Sequence, residues 1–128
     1  MERFMEKIIL VFAFGGIGSL MRFGVSSFTK TIAGTTFPIG TLIVNCLGSF
    51  IFGLIWSIGS EKAALSPQLS SVILIGFAGA LTTFSTFSFD TVQLFKNQHI
   101  GLAIANVLLN NFLCLGFLLA GTIVVKNA

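Results

Sequence analysis

The side chains able to do chemistry crowd into one stretch of this chain, residues 76–90, which reads GFAGALTTFSTFSFD. Hydroxyls stand at Thr82, Thr83, Ser85, Thr86 and Ser88. Between them Phe84 and Phe87 are three residues apart, a spacing that puts two rings on one helix face. A benzene ring is negative on its face and positive at its edge. Two rings presented edge-on can therefore contact a bare anion without a fixed positive charge to trap it. Asn45 adds amide donors, and Thr41, one turn earlier, adds a hydroxyl. That set suits a small, strongly hydrated anion, whose water must be replaced while binding stays weak enough for exit. Either ring alone reads better as core packing in a chain with 15 Phe, and hydroxyls within a helix also bond back to it. The coincidence of glycines, hydroxyls and paired rings is what makes a site.

Gly76, Gly79 and the β-branched threonines also predict an interruption of the helix near its middle. Carbonyls freed near residues 79–82 could hold a small cation. The inward-pointing start of a half-helix favours anions. Non-helical backbone survives at membrane depth only where protein or water covers it.

The elements that must carry this stretch are membrane helices. Of 128 residues, 55% are apolar and only 9% charged, against roughly 25% in a soluble domain. Mean hydropathy is +1.01. One domain, 1–128, is expected, with four spans at about 8–28, 37–58, 69–95 and 100–125, each near the roughly 20 residues that cross a bilayer. They are too long for strands and do not alternate, so the fold class is an all-α membrane bundle. Small residues four apart (Gly15/Ser19, Ser49/Gly53, Gly76/Ala80, Gly116/Ala120) allow close helix packing. Arg22, Asn45, Asp90, Asn106, Asn110 and Asn111 lie at or near membrane depth and call for a partner, cavity or pore. Together these features point to a homo-oligomer.

Lys and Arg divide almost evenly. Arg3, Lys7, Lys62 and Lys126 lie on one side; Lys30, Lys96 and, by snorkelling, Arg22 lie on the other. Both termini in the cytoplasm and insertion both ways round are equally compatible with that split. The basic residues form no run that would suit nucleic acid. The first apolar stretch reads as a retained helix, because Glu2 and Glu6 sit among its basic residues and no cleavage site comes after it. Cys46 and Cys114 fall mid-span and read as small apolar fillers, with no disulfide or zinc spacing. His99 reads as a solvated connection residue. Asp90, near the end of the third span, is a weak candidate for proton coupling. No catalytic motif is present, so no enzyme and no organic cofactor are expected.

With TTFSTFS at 82–88, Gly40-Thr41-Leu42 leading to Asn45, and Gly15-Gly16-x-Gly18 followed by Arg22, the chain resembles the Fluc (CrcB) fluoride channels over essentially its whole length. The resemblance implies an antiparallel, dual-topology homodimer in a bacterial cell membrane, with two pores passing fluoride out of the cytoplasm. It implies fluoride contact at Phe84, Phe87 and Asn45, with Thr41, Ser85 and Thr86 among the pore hydroxyls, and Arg22 near a vestibule. It implies a structural Na⁺ held by the backbone carbonyls of Gly79 and Thr82 from both subunits. Phe89-Asp90 departs from relatives with Glu two residues after the TFS run. Asn106, Asn110 and Cys114 depart on the fourth span, where Asn110 can still extend a polar track and Cys114 is a poorer donor than Ser. Two other readings are a small drug/proton antiporter, which needs a midplane carboxylate in the first span, and a non-transporting helper subunit.

Overall fold

A long first helix, α1 (Glu2–Ala33), ends at Gly34, whose φ of 53° is left-handed and strains any residue with a Cβ. The structure, a computed structural model, describes residues 1–60, 62 and 64–127. Glu61 and Ala63 of the predicted second connection, and Ala128, lie outside the described residues. Helix α2 (Ile39–Ser60) comes after Pro38, whose carbonyl accepts the Leu42 N–H at 3.3 Å. The third apolar segment is a succession of short pieces. Helix α3 (Pro67–Val72) is capped by the Ser66 hydroxyl, which accepts the Leu69 N–H at 3.2 Å. It runs into a π-helical segment, Ile73–Ala78, and then a last α turn, α4 (Gly79–Leu81). Thr82 (φ −80°, ψ 157°) and Thr83 (φ −152°, ψ 113°) are extended before α5 (Phe84–Lys96) begins. A turn at residues 97–99 leads to α6 (Ile100–Asn127).

Four stretches are long and apolar enough to cross a membrane, and no strand occurs among the described residues. The first helix is longer at both ends than the expected 8–28, and the fourth continues past 125. Arg3, Lys7, Lys30 and Lys126 end the apolar run but not the helix, since Lys and Arg are good helix formers.

Helices α2 and α6 share the most extensive contact in the subunit. A Cβ at Gly53 would strike the Leu118 carbonyl, and one at Gly121 would strike the Phe50 carbonyl, so the two glycines let these backbones touch. The expected Gly116/Ala120 pair does not take this role. A Cβ at Gly116 would meet nothing within 4 Å, and the seam runs one residue further along, through Gly121. Helix α1 lies against the π segment, with Gly18 at the Phe77 carbonyl.

The core is small and partly polar. Val44, Leu81 and Ala103 are fully buried, and so are Asn106 and Ser57. By contrast only 6% of the most apolar window of α1 is buried. A single subunit therefore leaves most of its apolar surface for lipid or another chain.

Candidate functional site

The extended pair Thr82-Thr83 sits where α2, α5 and α6 converge. Thr83 caps α5, its hydroxyl accepting the Thr86 N–H at 3.1 Å. Its own N–H has no helical acceptor, and its carbonyl, which as that of the cap residue accepts the first helical bond, has a second lone pair to fill. A buried backbone group without a partner costs about as much as a lost hydrogen bond, and one side chain answers for both. Asn45 Oδ1 accepts the Thr83 N–H at 2.8 Å, and Asn45 Nδ2 donates to the Thr83 carbonyl at 3.3 Å. The remaining Nδ2 proton goes to Asn110 Oδ1 at 2.9 Å. Both amide protons that the residue pattern offered to an anion are thus engaged within the subunit.

The bonds continue in one sense. Asn110 Nδ2 donates to Asn106 Oδ1 at 2.9 Å, Asn106 Nδ2 to the Thr91 hydroxyl at 2.9 Å, and that hydroxyl to the Phe87 carbonyl at 2.8 Å. Asn45, Asn106 and Asn110 are buried, which answers the demand that polar groups at this depth find partners. Asn111 remains exposed and bonds back to the Val107 carbonyl at 2.7 Å. The polar track was expected from Asn110 alone; Asn106 and Thr91 extend it.

A cavity of about 260 Å³ opens beside this track, lined by Asn45, Ser49, Thr83, Phe84, Phe87 and Asn110 together with Thr82, Asn111 and Cys114. The two rings are 5.3 Å apart between centroids and tilted by 55°. They differ in surroundings: Phe87 is 8% exposed and Phe84 78%. Thr41 is not in this cavity. It lies one turn along α2, in a second cavity of about 180 Å³ with Thr86, Asp90 and Lys30, and donates to Asp90 Oδ2 at 2.6 Å. Thr41 and Asn45, one in each cavity, are offset along α2 by roughly 6 Å, the rise of four helical residues. Asp90 lies six residues before the end of α5 at Lys96, in the last two turns of the third span.

Ser85 is exposed, its hydroxyl 3.2 Å from that of Thr83. Arg22 Nη1 donates to the Thr82 carbonyl at 3.3 Å, which places it at the extended pair. The Thr83 N–H that would close a helical bond to the Gly79 carbonyl goes to Asn45 instead. Gly79 and Thr82 line a further small cavity with Gly48, Ser49 and Ala78.

Three features escaped sequence reasoning. Thr83 as the cap was signalled by a hydroxyl ahead of a helix, but it was one of several. The Thr41–Asp90 bond and the approach of Cys46 Sγ to Cys114 Sγ, at 3.9 Å, join residues with no local signal.

Comparison with known proteins agrees on one family. The family model described as "CrcB-like protein, Camphor Resistance (CrcB)" matches residues 9–122. The chain is 42% identical over 122 residues to a protein of Citrifermentans bemidjiense named "Fluoride-specific ion channel FluC", covering 95% of this chain and 98% of that one. A Geotalea uraniireducens protein of the same name is also 42% identical, with the same coverage. One from Shewanella frigidimarina, again so named, is 45% identical over 111 residues, covering 87% of this chain and 89% of the other.

Proposed function

Because the chain belongs to the CrcB-like family, we propose that it is a fluoride-selective channel giving cytoplasmic fluoride a passive way out of the cell. It is a multi-pass bacterial membrane protein and not an enzyme. The observation that carries the reading is the likeness, over 95% of the chain, to proteins named as fluoride-specific channels. The physical rationale is that neutral HF enters from acid surroundings, ionises inside, and needs a path out as an ion.

The two offset cavities support a path for that ion. Fluoride entering past Thr41 and Thr86 meets Asn45, Phe84, Phe87 and Asn110 next, with Ser85 beside them. Of the two bonds that Asn45 donates, the one to the Thr83 carbonyl is the longer, at 3.3 Å. It is the one most readily exchanged for a passing anion. Thr83 keeps its N–H bond to Asn45 meanwhile, so the third span works as a broken helix without collapsing.

A second copy of the chain completes the structure. Phe84 lines the same cavity as Phe87 yet is largely exposed on one subunit, and Asn111 is exposed at membrane depth. A second chain would cover both and close the open side of that cavity. The nearly even split of Lys and Arg is compatible with pairing in opposite orientations, with one path per subunit. A central Na⁺ belongs to the same proposal. The Gly79 carbonyl, relieved of its helical donor, is suited to it. The Thr82 carbonyl has a second lone pair but already receives the Arg22 guanidinium. Two subunits would bring the Gly79 and Thr82 carbonyls of both chains to one ion, whose charge helps hold the interface together.

Efflux from liposomes holding the purified protein, with fluoride and chloride electrodes read together and valinomycin shunting potassium, tests the reading. Fluoride loss with chloride retained is expected. Equal loss of both anions would overturn the selectivity, and no flux from a correctly sized dimer would overturn the channel.

A further inference from the structure

Cys46 on α2 and Cys114 on α6 are both free thiols, with their sulfurs 3.9 Å apart. Cys46 is 7% exposed. Cys114 is half-buried and lines the cavity of Asn45, Phe84, Phe87 and Asn110. Cys46 does not line that cavity, and Cys114 stands in its wall.

We propose that this pair is a two-coordinate site for a soft, thiophilic divalent metal ion of the mercuric class, and that loading it closes the adjacent cavity. Thiolates are the soft ligands of protein sites. With a metal–sulfur bond of about 2.3 Å, a linear two-coordinate ion holds its sulfurs ~4.6 Å apart, so the pair at 3.9 Å must part only slightly to take it. A disulfide would instead require the sulfurs to close to about 2.05 Å.

Ligand number selects the metal. Among the described residues no group of three or more His, Cys, Asp or Glu side chains is assembled. Structural zinc takes four ligands, so an ion content with two is the better match. Charge selects it again. Each S–H bond gives up its proton, two S–metal bonds form, and the two protons leave to water with no change of oxidation state. Two thiolates and one divalent ion make a neutral unit, the form that a low-dielectric interior tolerates.

Position supplies the consequence. Cys46 is the residue directly after Asn45, and Cys114 lies one turn beyond Asn110 on α6. A bridging ion therefore staples α2 to α6 beside the Asn45–Asn110 bond, and its bulk stands in the cavity wall. The binding stands independently; the closure rests on the fluoride-channel reading.

The test treats full-length protein with mercuric chloride, washes it with 2-mercaptoethanol, and measures retained mercury by mass spectrometry and sulfur-to-metal ultraviolet absorption. About one mercury per chain is expected to survive the wash in the parent protein, and to be lost from Cys46→Ser and from Cys114→Ser. Fluoride efflux, read against each protein's own metal-free rate, should be lost on loading in the parent alone and return with a dithiol chelator. Mercury retained equally by the single variants, or washed from the parent, would overturn the site. Retained mercury with unchanged flux would overturn the closure. A protein without fluoride flux before any metal is added would sink the channel reading, while the stoichiometry still decides the site.

Discussion

The single amide of Asn45 serves both backbone groups of Thr83, accepting its N–H at 2.8 Å and donating to its carbonyl at 3.3 Å. Thr83 is extended, and the amide stands beside it as a neighbouring strand would, in a protein otherwise built of helices. The residue pattern presented Asn45 as a ligand for an anion. The structure makes it a structural brace, so the proposed anion contact would have to compete for the same protons.

Asn45→Asp should therefore abolish fluoride flux and also weaken the fold. The carboxylate offers no donor to Asn110 Oδ1 or to the second lone pair of the Thr83 carbonyl; Asn110 Oδ1 loses its partner, and a buried group left unsatisfied costs about 1–3 kcal/mol. Efflux and thermal unfolding of the same preparation check this. Parent-like values in both would remove Asn45 from the path and from the brace.

Phe84→Ile and Phe87→Ile should both reduce throughput, for different reasons. Phe87 is buried, so its replacement should also lower stability by about 1 kcal/mol, the scale of an aromatic pair. Phe84 is exposed on the subunit, so its replacement should act on flux and on dimer contact. If both variants conduct normally, the ring-edge contact is wrong.

Gly53→Val and Gly121→Val should prevent α2 and α6 from closing, because each added side chain meets the opposing backbone. Gly116→Ala should leave the subunit folded, since a Cβ there meets no neighbour. Size-exclusion profiles of the three variants separate the outcomes. A normal profile for Gly53→Val would show that the seam can open without cost.

Asp90→Asn should keep the Thr41 bond, because the amide oxygen still accepts a hydroxyl. It removes a negative charge from the cavity that Lys30 also lines. At about 10 Å in water one unit charge is worth ~0.4 kcal/mol, or about twofold in local anion concentration. Fluoride flux at low ionic strength should rise by about that factor, and the gain should vanish in high salt. A fall in flux would assign Asp90 a direct role in the path.

Thr35→Lys with Asn97→Lys should bias insertion toward one orientation, since both positions lie in connections on the same side of the bundle. Flux from this variant alone should drop, and co-expression with an oppositely biased Gln68→Lys partner should restore it. Full activity of the biased variant alone would count against antiparallel pairing.

Hydropathy carried the bundle because a lipid solvent constrains every span in the same way. It missed the ends of α1, where helix propensity outlasts apolar character. Single residues were legible as donors: Asn45, Asn110 and the hydroxyl run were visible. Their partners were not, since Asn45 and Asn110 are 65 residues apart and Cys46 and Cys114 are 68 apart. The glycine seam was read one residue short, at Gly116/Ala120, because spacing alone does not say which face of α6 turns toward α2. Ile73–Ala78 carries no compositional mark of its π form.

That π segment sets the angular phase of everything behind it. The Gly79 N–H reaches back to the Leu74 carbonyl, five residues earlier, so the turn holds one residue more than an α turn. Each extra residue rotates the downstream chain by about 100° around the axis. Pro67–Val72 and Gly79–Leu81 thus belong to two different helical phases. A ladder running in α register throughout would aim the Thr82 carbonyl away from Arg22 and the Thr83 N–H away from Asn45. Gain or loss of a single residue within 73–78 is therefore a change of aim, equivalent to re-indexing every side chain from Gly79 to Lys96 at once.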